Sequence, residues 1–282
     1  MVLEILKAFI FGIVEGITEW LPVSSTGHMI LLERFLAFNG VSEGFWEMFE
    51  VVIQFGAILA VVVIFWKDIF PFTLKKDEGY KESGPLSYVK PDVMSMWFKA
   101  LVACVPAAVI GLLLDEKLNE LFYHWYVVAG ALIVFGIAFI IIESINHNSK
   151  INSIAELTYK AALIIGVFQL IAAIFPGTSR SGATIVGALL IGVSRKTAAE
   201  FTFYLAIPVM LGASILKLIG FGLAFSAIEL AVLLTGMVTA FIVSVFVIKF
   251  LMDYIKKHDF KVFGWYRIIL GLLVILYFSL IK

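Results

Sequence analysis

The amino-acid sequence predicts an all-α polytopic membrane protein: about six transmembrane helices plus two re-entrant helical hairpins, arranged as an inverted-topology internal repeat. Three observations predict it. Of 282 residues, 62% are hydrophobic and only 15% charged, more apolar surface than a soluble domain of this size can hide. Apolar runs close to the roughly 20 residues that a spanning helix needs recur at Val51–Trp66, Trp97–Leu114, Tyr126–Ile142, Ala198–Leu218, Ile228–Leu251 and Ile268–Ile281. Two further apolar segments are each broken by a short polar run.

Taken in order, the first broken segment is Leu3–Phe38, interrupted at Pro22-Val23-Ser24-Ser25-Thr26-Gly27. Glu15 and Glu19 divide its apolar stretch, which argues against a cleaved leader. After the first span, Lys67 to Asp92 mixes charges with Gly79, Gly84, Pro85 and Pro91 and reads as a solvated connection. The lone Cys104 lies in an apolar run, so it forms no intrachain disulfide and reads as a small packed hydrophobe. The second broken segment, Leu157–Gly192, is interrupted at Pro176-Gly177-Thr178-Ser179-Arg180-Ser181-Gly182. Non-helical backbone at membrane depth survives only where protein or a water-filled cavity supplies partners, so the two breaks should face each other or share a cavity.

Pro22 and Pro176 lie 154 residues apart, and this offset also sets Gly12-Ile13-Val14-Glu15 against Gly166-Val167-Phe168-Gln169. Residues 1–150 then form one repeat and residues 151–282 the other, each a hairpin plus three spans. Three is odd, so the second half enters the membrane inverted and the interface falls near the midplane. Charge supports this orientation. With the loop after Trp66 in the cytoplasm, 15 of the 21 basic residues lie on that side, Arg267 among them, in keeping with the positive-inside bias. Lys7, Arg34, Lys117, Lys217 and Lys282 fall on the other face, and Arg180 reads as the one arginine within the membrane. The first hairpin should open outward and the second inward. Net charge is zero, which gives no reason to expect nucleic acid.

Glu15 and Glu19, four residues apart, share one face of the first half-helix. Ionised groups at the bilayer centre cost at least about 2.5–3.5 kcal/mol each, so the pair needs a cation, a partner or water. Their oxygens suit a hard divalent cation, Mg²⁺ or Ca²⁺, which would pair with a phosphate substrate. One of the two can instead serve as general acid or base, and a purely structural staple to Arg180 is the alternative. Ser24, Ser25, Thr26 and Gly27 start a half-helix whose unpaired N–H groups make an anion site. His28 follows Ser25 by three residues, close enough along one helical face to take the hydroxyl proton. The bland reading makes the serines helix caps and His28 a packed polar residue. Arg180 offers a permanently charged planar fork that matches phosphate oxygens. Gln169 occupies the repeat position of Glu15, which gives the acidic face to one half and the basic face to the other. Glu47, Glu50 and Gln54 enter the next helix either as the cavity's outer mouth or as a solvated end. His124, His147 and His258 read as interfacial, and Trp66, Trp97, Trp125, Tyr126, Tyr266 and Tyr277 as an aromatic belt.

The runs Gly12-Ile-Val-Glu-Gly-Ile-Thr-Glu-Trp-Leu-Pro-Val-Ser-Ser-Thr-Gly-His28, Phe49-Glu-Val-Val-Ile-Gln54, Pro176-Gly-Thr-Ser-Arg-Ser-Gly-Ala-Thr184 and Ala206-Ile-Pro-Val-Met-Leu-Gly-Ala213 resemble the undecaprenyl-diphosphate phosphatases, also called bacitracin-resistance proteins. The resemblance covers essentially the whole chain, with Trp20 where the family often has phenylalanine. It implies hydrolysis of undecaprenyl diphosphate to undecaprenyl phosphate and inorganic phosphate, renewing the lipid carrier for peptidoglycan and other wall polymers. By similarity, Glu15 and Glu19 hold a divalent cation, Ser25 is the nucleophile, His28 its acid/base partner and Arg180 the phosphate-binding arginine, surrounded by Ser179, Ser181 and Thr184. Ser25 attacks with help from His28, or an activated water attacks directly. The site is expected to face outside the cytoplasm, in the plasma or inner membrane. Expected partners are the polyprenyl diphosphate and membrane lipid, with a homodimer as an option. A secondary transporter or lipid flippase is the alternative of another class, since broken helices meeting at the midplane recur in transporters; the Glu, Ser and His set favours an enzyme.

Overall fold

The computed structural model describes residues 1–73, 88–145 and 149–280. Lys75, Lys76, Gly79, Lys81, Gly84 and Pro85 of the polar connection, His147 and Lys282 lie outside the described residues. Eleven helices are found among them: α1 (Val2–Thr18), α2 (Ser25–Leu36), α3 (Phe45–Ile64), α4 (Trp66–Ile69), α5 (Pro91–Phe122), α6 (Trp125–Ser144), α7 (Tyr159–Ile174), α8 (Arg180–Leu190), α9 (Arg195–Phe221), α10 (Ala227–Tyr254) and α11 (Lys261–Leu280). Six are long and apolar enough to cross a bilayer: α3, the Pro91–Gly111 part of α5, α6, α9, α10 and α11. The protein is thus an all-α, multi-pass membrane protein.

The four helices of the broken segments are shorter. With 17, 12, 16 and 11 residues, α1, α2, α7 and α8 extend about 26, 18, 24 and 17 Å at a rise of 1.5 Å per residue. Each falls short of the ~30 Å hydrocarbon thickness. Both pairs return to the level at which they start. Near the start of α1, the buried Lys7 Nζ donates to Glu4 at 3.1 Å and to the Ala37 carbonyl at 2.6 Å, while the Asn39 N–H donates to Glu4 at 3.1 Å. The second pair is closed by backbone alone, Lys150 N–H to Gly192 O at 2.8 Å and Ser194 N–H to Ile151 O at 2.8 Å.

The two pairs open beside opposite ends of α10. Glu229, in the first turn of α10, accepts from the Ser42 N–H at 2.7 Å just after the first pair. Beyond the far end of α10, the Phe260 N–H donates to Glu143 at 3.1 Å, and Glu143 also takes two nitrogens of Arg195 at 2.6–3.1 Å, just after the second pair. Packing follows one scheme in both halves: α1 lies on α10 as α7 lies on α5, α3 on α10 as α9 on α5, and α2 on α11 as α8 on α6, while α3 meets α9 and α6 meets α11.

In lipid, apolar side chains gain little by leaving one apolar solvent for another, so close packing through small residues holds helices together. At the α6–α11 crossing, a Cβ placed on Gly136 or on Gly264 would lie 2.7 Å from the other's carbonyl oxygen. Gly12 and Gly166 serve alike at the α1–α10 and α7–α5 crossings, against the carbonyls of Gly236 and Ala103. Replacing Gly136 by Val should therefore separate α6 from α11 at a cost of about 1–3 kcal/mol and lower the thermal midpoint in detergent. Gly130→Ala, on the same helix with nothing within 4 Å, should leave the midpoint unchanged or raise it. Equal losses in both variants, read by differential scanning fluorimetry, would contradict this packing account.

Candidate active site

Each break is a tight turn closed by a serine. Ser24 and Ser179 are the only described non-glycine residues with positive φ, at 75° and 68°. Such backbone costs about 1–3 kcal/mol and persists where surrounding contacts fix it. The fixing contacts are local: the Ser24 hydroxyl accepts the Gly27 N–H at 3.3 Å, and the Ser179 hydroxyl accepts the Gly182 N–H at 3.1 Å. Each serine is thus the N-cap of the half-helix that follows. This sets a structural register one residue from the sequence offset, because Gly177 at φ 91° is an extra residue in the second turn. Ser25 and Arg180 therefore hold the same position, first in α2 and first in α8.

The two breaks meet. Glu19, just after α1, sits between them and is 7% exposed. Its Oε1 accepts from Arg180 Nη2 at 2.6 Å, its Oε2 from the Ser25 hydroxyl at 3.1 Å, and its backbone carbonyl from the Ser181 hydroxyl at 3.0 Å. Arg180 is anchored on α9, donating from Nη1 to the Thr202 carbonyl at 3.1 Å and contacting Met210 Sδ at 3.2 Å. Because the one hydroxyl proton of Ser181 goes to Glu19, Ser179 donates in its 3.1 Å contact with Ser181. Thr184, fully buried, gives its proton to the Arg180 or Ser181 carbonyl and accepts from the Thr202 hydroxyl at 2.9 Å.

Glu15, one turn before Glu19, is wholly buried and neither carboxylate oxygen has a hydrogen-bond partner. A buried carboxylate in that condition calls for a cation, a proton or water. Among the described residues, no third Asp, Glu, His or Cys joins the pair in metal-binding geometry. The donor set fits a hard cation only with further oxygens from substrate and water, since both Glu19 oxygens are engaged. Gln169 is also buried, with its amide atoms unpartnered.

A second cation underlies both turns. Arg267, from α11, is completely buried and donates to the carbonyls of Pro22 at 3.2 Å, Gly177 at 3.0 Å and Thr178 at 2.7 Å. One guanidinium thus satisfies carbonyls of both breaks.

The family model described as bacitracin resistance protein BacA matches residues 8–273. The chain belongs to this family. It is 62% identical over 278 residues, 98% of this chain and 96% of the relative, to the undecaprenyl-diphosphatase of Desulfitobacterium hafniense. It is 58% identical over 283 residues, 99% of each chain, to undecaprenyl-diphosphatase 1 of Clostridium acetobutylicum. To an undecaprenyl-diphosphatase of Enterococcus faecalis it is 58% identical over 276 residues, 97% of each. The family is one of membrane phosphatases, enzymes of the hydrolase class.

Of the residues expected at the site, the structure brings Glu19, Ser25, Arg180, Ser179 and Ser181 into one connected group, with Glu15 a turn away and Thr26 half-buried at the second position of α2. Thr184 and Ser24 act within the scaffold. His28 does not bond to Ser25: its Nδ1 meets the Ser24 carbonyl at 2.7 Å and its Nε2 the Tyr266 hydroxyl at 2.6 Å. The carboxylate of Glu19, not the imidazole, receives the Ser25 proton donor. Arg267 requires a correction. Expected among the cytoplasmic charges, it lies in the seventh position of α11, facing inward. Arg180 is therefore not the one arginine buried among the apolar helices. A clue was present, since an arginine one turn inside an apolar helix needs a buried partner. Removing it as Arg267→Met should strand three buried carbonyls at about 1–3 kcal/mol each and lower the thermal midpoint by about 10 °C or more; an unchanged midpoint would show that the turns hold without it.

Proposed function

We propose that the protein hydrolyses undecaprenyl diphosphate, or a closely similar polyprenyl diphosphate, to the monophosphate and inorganic phosphate. The observation that carries this is Glu19, whose two oxygens join a serine hydroxyl to a fixed guanidinium. The 54–62% identity to five undecaprenyl-diphosphatases along nearly their whole length supports the substrate. In this reading Glu19 accepts the Ser25 proton, the Ser25 oxygen attacks the terminal phosphorus, and the bridging P–O bond breaks toward the lipid monophosphate. Water then cleaves the phosphoserine. Arg180 and the N–H groups at the starts of α2 and α8 hold the phosphate oxygens as charge moves.

A divalent cation, Mg²⁺ or Ca²⁺, would supply further neutralisation of the diphosphate, with Glu15 its chief protein ligand. Glu15 is suited because its oxygens are buried and unclaimed. The same reading places the enzyme in the cell's plasma or inner membrane with an extracytoplasmic site, and assigns it to carrier recycling for peptidoglycan and to bacitracin resistance. Residues 1–150 and 151–282 are read as inverted repeats. The opening of the two helix pairs at opposite ends of α10 supports that arrangement, as do the preserved packing scheme and the equivalent cap serines. A cavity of about 580 Å³ adjoins the far half of α2, lined by Ile30, Glu33, Arg34, Tyr123, Trp125 and Phe278 among others.

Detergent-purified protein given undecaprenyl diphosphate and Mg²⁺ or Ca²⁺ should release phosphate. Chelation should abolish the release, and added cation should restore it. Glu19→Gln and Arg180→Ala should each lower kcat/KM by roughly 10²-fold or more, the scale of losing one transition-state contact in a dry site. Glu15→Gln should raise the cation concentration needed for half-maximal rate. No release by the wild type with any divalent cation would refute the proposal, and full turnover by Ser25→Ala would move the attack from serine to water.

A further inference from the structure

We propose that Tyr266 is a positioning residue of the active site, acting through His28. The argument begins with hydrogen-bond valence. The Ser24 carbonyl can only accept, so the His28 Nδ1 at 2.7 Å from it carries a proton and donates. In the neutral ring Nε2 is then a bare lone pair, and the Tyr266 hydroxyl at 2.6 Å donates to it. If the ring gains a proton, the same phenol turns and accepts. Tyr266 is thus the partner of Nε2 in both states.

The two rings are nearly parallel, 11° apart with centroids at 5.7 Å, which fixes the plane of the imidazole as well as its tautomer. That plane matters because the residue held by Nδ1–H is Ser24, whose positive φ forms the turn that delivers Ser25 to Glu19. A chain of contacts therefore runs from the Tyr266 hydroxyl through His28 and the Ser24 carbonyl to the strained turn. Ordinary belt tyrosines point their hydroxyls to headgroups and water. Tyr266 departs from that: the residue is 46% exposed, yet its hydroxyl is committed to His28. It is also the neighbour of Arg267, so consecutive residues of α11 grip the first turn, one by its Pro22 carbonyl and one through His28. With both nitrogens occupied, His28 has no lone pair for the Ser25 proton while Tyr266 is in place. It orients the turn, and Glu19 is the base.

Tyr266→Phe keeps the stacked ring and removes only the hydroxyl. In ¹⁵N-histidine spectra of the full-length protein in micelles, the His28 signals, assigned by their loss in His28→Gln, should show a protonated Nδ1 and a hydrogen-bonded Nε2. Tyr266→Phe should shift the Nε2 resonance and mix the tautomers. On the phosphatase reading above, it should also lower kcat roughly tenfold with KM within about twofold, the effect of one hydrogen bond on the reacting geometry. In a His28→Gln background the same substitution should cost nothing further. An unshifted His28 signal, or additive losses in the double variant, would overturn the proposal. The spectra require no turnover, so a failure of the phosphatase reading would leave this arm able to decide.

Discussion

Backbone that leaves a helix within a bilayer carries carbonyl and amide groups that water cannot reach. This chain breaks its apolar segments at two turns, and Arg267 binds the backbone of both. By donating to Pro22, Gly177 and Thr178 at once, it satisfies carbonyls of both turns and forces them to share one location. The cation has no carboxylate of its own among its hydrogen-bond partners. Its charge is held by carbonyl dipoles.

Joining the turns gives the two halves different tasks at equivalent positions. Each cap serine holds the first turn of its helix in the same way, so the residue after it projects from the same place. In α2 that residue is Ser25, the proposed nucleophile. In α8 it is Arg180, the proposed phosphate ligand. Glu19 lies between them and bonds to both. Repetition of one backbone device therefore yields a pair of unlike groups about one carboxylate, and neither half holds the constellation alone.

Much of this was legible in the sequence because the signals were local. Apolar runs named the six long helices, and Pro-Val-Ser-Ser and Pro-Gly-Thr-Ser named the breaks. The boundaries shifted where polar residues turned out to be helical: α5 begins at Pro91 rather than Trp97, and α11 at Lys261 rather than Ile268. The second shift explains the misplacing of Arg267, since a later start leaves it in the loop. Ser25 and His28 do not hydrogen-bond to each other, for a geometric reason. Spacing of three puts two side chains on one helical face, but a cap residue in the left-handed region turns the carbonyl of Ser24 toward His28, and that contact satisfies Nδ1. The bond from His28 to Tyr266 spans 238 residues, and no periodicity within one helix can announce it.

The engagement of Glu19 by Arg180 bears on how the site would accept a phosphate. Arg180 has anchors of different kinds, a backbone carbonyl on Nη1 and, on Nη2, the carboxylate and Met210 Sδ. The Thr202 carbonyl is neutral and belongs to α9, so it helps to hold the guanidinium in place whatever occupies the other nitrogen. An arriving phosphate competes with Glu19 for Nη2. On the proposed reading, Glu19 then exchanges a fixed cation for the proton of Ser25, already 3.1 Å away, and the serine is activated when its target is seated. A divalent cation, where one accompanies the substrate, would add positive charge that Glu15 could hold. A polar site in lipid needs its charges paired, and Glu19 and Arg180 pair here at 2.6 Å.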